Sequence, residues 1–237
     1  GTTLGLVTTS QSHNNFGEMS QFTTTNNSST LFDVQYIRDS LGRITQKIET
    51  INSITNTYVY SYDTAGRLTD VALNGITARH YSYDSNSNRT SLNTTTAIYD
   101  NQDRLLTYGN NSYTYSANGE LQSKTNTSGT TSYQYDALGN LVFATLPDGT
   151  VIDYVIDGQN RRIGKKVNGV LVQGFLYENQ LRPIAELNGT GAIVSRFIYG
   201  TKINVPEYMI KNGTTYRIIT DHLGSPRFII DTATGTV

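Results

Sequence analysis

The chain has 237 residues, a formal net charge of −1 and 16% charged residues, below the ~25% of an ordinary soluble domain. That balance gives no electrostatic footprint for nucleic acid or an anionic membrane, and zero cysteines exclude disulfides and thiolate chemistry. No apolar run reaches the roughly 18 residues needed for a membrane-spanning helix.

Residues 1–30 are rich in Thr, Ser, Asn and Gln, with scattered Leu4, Leu6, Val7, Phe16 and Phe22. Low charge and Thr enrichment predict degenerate leading strands rather than a flexible lead-in. Gly1 opens without the basic and apolar regions of an export signal, so any such signal is expected upstream or not at all.

From residue 31 to 165 one motif recurs. Its fullest copy is Tyr60-Ser61-Tyr62-Asp63-Thr64-Ala65-Gly66-Arg67-Leu68. Tyr60 and Tyr62 are two apart, hence on one face of a strand. Asp63 opens a tight turn, where its carboxylate accepts backbone N–H groups, and Gly66 closes it with a positive φ. Arg67 and Leu68 begin the return strand, giving a β-hairpin with a small bulge. Turn anchors are expected at Asp39, Asp63, Asp84, Asp100, Ser116, Asp136 and Asp157, with Gly42, Gly66, Gly119 and Gly139 closing four of them. Asp103 and Asn160 stand where Gly is expected and tolerate the left-handed conformation; Ser87 fits it less well. A hairpin of about 20 residues cannot bury enough apolar surface to offset its own ordering, so neighbouring hairpins must stack and cover one another.

From Thr145 onward the signals are Asp148-Gly149, Asn168-Gly169, Asn188-Gly189 and Asn212-Gly213, with Asn74-Gly75 as an earlier instance. These dipeptides predict two-residue hairpin turns. The end at Val237, just past a strand and a turn signal, reads as an interior cut. No convincing helix-length segment with a 3.6 period occurs among these 17 Tyr, 21 Gly and 4 Pro.

The Y-x-Y-D-x-x-G-R-L units resemble the YD repeats of Rhs proteins and of teneurin and insecticidal toxin-complex shells. Asp221-His222-Leu223-Gly224-Ser225-Pro226-Arg227 is similar to the D-H-L-G-S-P-R signature near the end of the Rhs core. The resemblance implies an all-β solenoid of stacked hairpins forming part of a larger hollow shell. On that reading residues 1–30 are leading strands, 31–165 YD-repeat hairpins and 166–237 late-core hairpins, in one continuous β structure. The implied function is a structural, non-catalytic wall around a C-terminal toxin or effector, secreted or at the cell surface. Its partners would be flanking repeats of the same longer chain and the enclosed polypeptide. The alternative is a cell-surface adhesion or carbohydrate-binding module with surface glycans as partners. A self-cleaving aspartyl site and a variable toxin follow the core in Rhs proteins; neither is recognised before Val237.

Catalytic chemistry competes poorly with structural roles. The periodic Asp residues could pair as glycosidase carboxylates, but recurrence at one place per repeat favours turn capping. Asp84-Ser85-Asn86-Ser87-Asn88 starts like a calcium loop, yet Arg89 and Thr95 replace its required Gly and acidic residue. Asp221, His222 and Ser225 contain triad residue types, but lie too close in sequence for a triad drawn from separate elements. Asp221, His222, Gly224, Pro226 and Arg227 are therefore expected to form a structural loop, with Arg227 paired to an acidic neighbour. His13 and His80 are isolated in sequence and show no metal spacing, so no metal or cofactor is expected. The Tyr rings are expected to face the next hairpin, with their hydroxyls at the solvated rim.

Overall fold

Residues that tolerate a left-handed backbone close hairpin after hairpin, and the chain is strand from end to end. The computed structural model describes residues 1–237 and contains twenty-three strands and no helix. Strands β1 (Thr2–Leu4), β2 (Val7–His13), β3 (Met19–Asn26), β4 (Ser29–Arg38), β5 (Ile44–Ile51), β6 (Ile54–Tyr62), β7 (Leu68–Leu73) and β8 (Ile76–Tyr83) form an antiparallel meander. Each pairs with the next in sequence. After β9 (Arg89–Leu92), a second meander runs from β10 (Thr95–Tyr99) to β21 (Pro206–Lys211). A last hairpin joins β22 (Thr214–Thr220) to β23 (Pro226–Asp231).

The strands divide into two compact units. The first comprises Gly1–Tyr83, Ser91–Thr94 and Thr214–Val237; the second comprises Asp84–Thr90 and Thr95–Gly213.

The first unit draws its core from both ends of the chain. Phe32, Val34 and Tyr36 alternate along β4 and so share one face. They pack with Val7 of β2, Ile219 of β22 and Ile230 of β23. The Phe32 ring lies 6.2 Å from Phe22 and 5.2 Å from Phe228. Gly5 has a φ of 58°, and the Cβ of any other residue there would collide with the Thr232 carbonyl. That close approach lets Leu6 N donate to Thr232 O at 2.8 Å. Arg217, almost fully buried, reaches the hydroxyls of Thr2 and Thr9. In the second unit the buried positions are small, among them Ala97, Ala144, Ala185 and Ser195.

The repeat turns follow one geometry. Gly42 N donates to Asp39 O and Gly66 N to Asp63 O, each at 3.0 Å. The register shifts by one residue just before the turn Asp, as between Ser61 and Tyr62, which is the bulge such turns require. Where Gly is replaced the backbone is still left-handed: φ is 70° at Ser87, 59° at Asp103 and 60° at Asn160. Gly139 isolates the cost of this conformation, because φ is 81° and nothing lies within 4 Å of an added Cβ. Gly139→Ala is expected to lower stability by about 1 kcal/mol through backbone strain alone, read as an earlier urea midpoint. An unchanged midpoint would mean that this turn relaxes.

Two of the five Gly dipeptides depart from the predicted two-residue turn. Asn74-Gly75, Asn168-Gly169 and Asn212-Gly213 have positive φ at both residues, as that turn demands. At 146–150 Leu146 N instead donates to Thr150 O, and Gly149 N to Leu146 O. Pro147 presets the second place of this longer turn, so Asp148-Gly149 falls at its third and fourth. At 188–192 Asn188 itself opens the turn, and Gly191 rather than Gly189 takes the positive φ, 84°.

Candidate functional site

The recurring Asp, Arg and Tyr form a clasp between consecutive hairpins. Asp39 Oδ1 accepts the backbone N–H groups of Leu41 and Arg43, both at 3.0 Å. Its Oδ2 accepts Arg43 Nε at 2.7 Å. That orients the guanidinium over the ring of Tyr62, one hairpin later, with its central carbon 4.7 Å from the ring centroid. The Tyr62 hydroxyl then donates back to Ile44 O at 2.7 Å, on the return strand of the Asp39 hairpin. Carboxylate, guanidinium, ring and backbone carbonyl thus close a loop of contacts across the repeat boundary. The charge-assisted bonds and the cation–π contact are the strong members of this set.

The clasp repeats in both units. In the first, Asp63 holds Arg67 over Tyr83 at 4.8 Å, and Tyr83 donates to Leu68 O. In the second, Asp100 holds Arg104 over Tyr115 and Asp157 holds Arg161 over Tyr177. Glu178 does the same for Arg182 over Tyr199. The hydroxyls of Tyr115, Tyr177 and Tyr199 donate to Leu105 O, Arg162 O and Pro183 O. These hydroxyls are bound to backbone rather than left at a solvated rim, which corrects that part of the expectation. Rings covered by guanidinium and anchored at the phenol are poor platforms for a sugar.

Other turns vary the clasp. Asp136 accepts Leu138 N, Asn140 N and the Asn140 amide, each at 2.9 Å. The Asn86 and Asn88 amides, at 84–88, both turn toward Asp103 Oδ1, and Asn88 also toward Asp84 Oδ2. These groups satisfy one another as donors and acceptors. At 116–120 the Ser116 hydroxyl replaces the turn carboxylate and accepts Glu120 N at 3.1 Å, and Gly119 closes the turn.

The late-core segment is a turn of the same kind that folds onto the N-terminal strands. Asp221 Oδ1 accepts Leu223 N and Ser225 N, and Gly224 N donates to Asp221 O; Pro226 begins β23. The His222 ring sits 4.6 Å from the Tyr36 ring, with Nδ1 3.0 Å from the Tyr36 hydroxyl. Arg227 pairs with buried Glu49 at 2.9 Å, and Lys47 reaches the same carboxylate at 3.1 Å. His222 thus faces a tyrosine of β4, not Ser225, and Asp221 serves the backbone of its own turn. His80, isolated in sequence, pairs with Asp70 at 2.7 Å.

The sign of the pH response follows from two kinds of group. Burial, outweighing the Asp221 charge, lowers the His222 pKa below 6.5, with Arg38 and Lys47 adding to the shift. Burial and the Asp221 charge raise the Tyr36 phenol. A His held below its unfolded pKa destabilises the fold as pH falls through 6.5, because the unfolded chain takes the proton first. Asp63, lowered by the Arg67 backbone and side chain, acts in a separate window. Its contribution is complete above about 3.8 and is lost as pH falls through the folded value. The stability of the first unit is therefore expected to fall in two steps on acidification. His222→Asn should erase the step below pH 6.5 and leave the one below 3.8. A single step in the parent chain would contradict this assignment.

In the structure Asp39, Asp63, Asp100, Asp136 and Asp157 cap their own turns, and Arg227 pairs with Glu49. Sequence reasoning missed the part played by Arg43, Arg67, Arg104, Arg161 and Arg182, although an Arg at the fifth place of each of these turns was the available signal. It also missed Tyr36 and Glu49 as receivers of the late-core turn, since no local pattern connects positions nearly 200 residues apart.

A family model described as Teneurin YD-shell matches residues 2–237. Teneurin-3 of Mus musculus is 29% identical over 204 residues, which cover 81% of this chain and 7% of the teneurin. Teneurin-1 of Homo sapiens is 27% identical over 178 residues, covering 71% of this chain and 6% of the teneurin. The chain therefore spans only a small fraction of these relatives. Among solved structures, TcdB2-TccC3 without its hypervariable C-terminal region aligns over 98% of this chain and 20% of that one, at a TM-score of 0.48 and 12% identity. The Photorhabdus luminescens Tc holotoxin pore aligns over 98% of this chain and 16% of that one, at a TM-score of 0.44 and 12% identity.

Proposed function

Because this chain belongs to the Teneurin YD-shell family, we propose that it is a non-catalytic wall segment of a shell that encloses a C-terminal toxin or effector polypeptide. The observation that carries this reading is the clasp. Wall material must hold its shape with little core of its own. A carboxylate, guanidinium and ring that fasten each hairpin to the next supply rigidity along the chain. In this reading Asp39, Gly42, Asp63, Gly66, Asp84, Asp100, Gly119, Asp136, Gly139 and Asp157 keep the hairpins in register. Asp221, His222, Gly224, Pro226 and Arg227 lock the late-core hairpin onto β4 and β5. The partners are then flanking repeats of the same longer chain and the polypeptide they surround, in a secreted or cell-surface protein.

Limited proteolysis of the longer protein tests the reading. The polypeptide C-terminal to this segment should resist cleavage while the shell is folded, and become sensitive once the shell is unfolded in urea. Equal sensitivity in both conditions would remove the enclosure. Saturable binding on a glycan array, lost in variants that still fold, would point to an adhesion module instead.

A further inference from the structure

One turn of the second unit carries the wrong charge for a clasp. At the place held elsewhere by Arg43, Arg67, Arg104 and Arg161 stands Glu120. Its Oε2 accepts the Ser116 hydroxyl, so the carboxylate sits at the fifth place of the turn instead of the first. The tyrosine that should receive a guanidinium from this turn is Tyr135, placed in its hairpin as Tyr115 and Tyr177 are in theirs. Here the side chain offered to it is an anion. An open recess of about 380 Å³ lies at this boundary, lined by Ser116, Glu120, Gln122, Tyr133, Tyr135 and Asp136 among others.

The recess presents the two surfaces that the other arginines engage, an aromatic ring and a carboxylate. Asp136 is the more occupied carboxylate, its oxygens already accepting Leu138 N, Asn140 N and the Asn140 amide, whereas Glu120 accepts the Ser116 hydroxyl and its own charge is unmatched by a cation. Glu120 is the acceptor: its Oε1 remains for a donor beyond the Ser116 hydroxyl. Its charge also reaches the neighbouring phenol: burial first, then Tyr133 and Glu120, raise the Tyr135 pKa.

We propose that this recess binds a guanidinium group from outside the two hairpins, an arginine side chain of a basic polypeptide, seated between Glu120 and Tyr135. The choice of guanidinium follows from five internal precedents, in which Arg43, Arg67, Arg104, Arg161 and Arg182 each lie between an acidic side chain and a tyrosine ring. A planar fork suits that geometry better than a compact ammonium.

NMR titration of the isotope-labelled 237-residue chain tests the site with four probes: Gly-Arg-Gly amide, argininamide, lysinamide and citrulline amide. Gly-Arg-Gly amide should produce saturable shifts at the Tyr135 ring and the Glu120 side chain and bind more tightly than argininamide. Lysinamide should bind more weakly, and citrulline amide, whose urea side chain carries no charge, should leave both signals in place. Glu120→Gln should weaken binding about fivefold, the scale of one exposed ion pair. Ser116→Asp with Glu120→Arg rebuilds the internal clasp; it should keep the fold and abolish the shifts. Shifts caused equally by citrulline amide, or unaltered in Glu120→Gln, would overturn the site. Equal binding of argininamide and the tripeptide would overturn a polypeptide as the source.

Discussion

Phe32→Ala is expected to destabilise the first unit by about 3–5 kcal/mol, the cost of emptying a core position filled by a large aromatic. Phe32 is 1% exposed and touches residues from both ends of the chain: Phe22 on β3 and Phe228 on β23. The surrounding side chains belong to sheet strands whose backbones are fixed by ladder hydrogen bonds, so little collapse into the void is available. The readout is amide hydrogen exchange along β4, β22 and β23 with urea unfolding of the same unit. Protection should fall together in all three strands, because Ile219 and Ile230 lose the surface they cover. A loss below 1 kcal/mol, or a loss confined to β4, would show that the C-terminal hairpin is not held by this core.

Arg227→Met is the second large effect and acts through charge. Glu49 is 4% exposed, and its carboxylate is shared by Lys47 and Arg227. Removing one partner of a buried pair costs about 3–5 kcal/mol, because the remaining charge is stranded. Arg227 is itself about a third exposed and Lys47 remains, which reduces the expectation to about 2 kcal/mol. Adding Glu49→Leu to Arg227→Met should restore part of the loss, since it removes the stranded carboxylate while Lys47 loses that partner and keeps its contact with the Tyr58 ring. Chemical denaturation of the two single variants and the double variant gives the coupling directly. If the double variant is as unstable as the sum of the singles, the ion pair is not what seats the turn.

What was legible in the sequence is what depends on neighbours in the sequence. Asp63 and Gly66 announce their turn because a carboxylate capping its own amides and a residue with positive φ are four places apart at most. The same locality explains why Asp103 and Asn160 were recognised as stand-ins for Gly. The clasp is half legible: the Tyr and the Asp stand out, but the Arg between them reads locally only as the start of a strand. Its role depends on a ring in the next hairpin, and that register is set by pairing rather than by spacing. The misread turns at Leu146–Thr150 and Asn188–Ala192 show a limit of dipeptide signals. Asp148-Gly149 fits two turn types, and Pro147 decides between them. The core of the first unit was not legible. Phe32, Val34 and Tyr36 show the alternation of a buried face, yet nothing near them names Ile219 and Ile230 as its cover.

That arrangement has a consequence for synthesis. Hairpins that bond only to their sequence neighbours can zip within microseconds of leaving the ribosome, each as it emerges. Thr2 and Arg217, which meet in the finished first unit, are 215 residues apart. At ordinary elongation rates that interval is roughly 10–40 s. Through that delay the oily side of β2–β4 stays open to water, because Ile219 and Ile230, which cover it in the finished unit, are not yet translated.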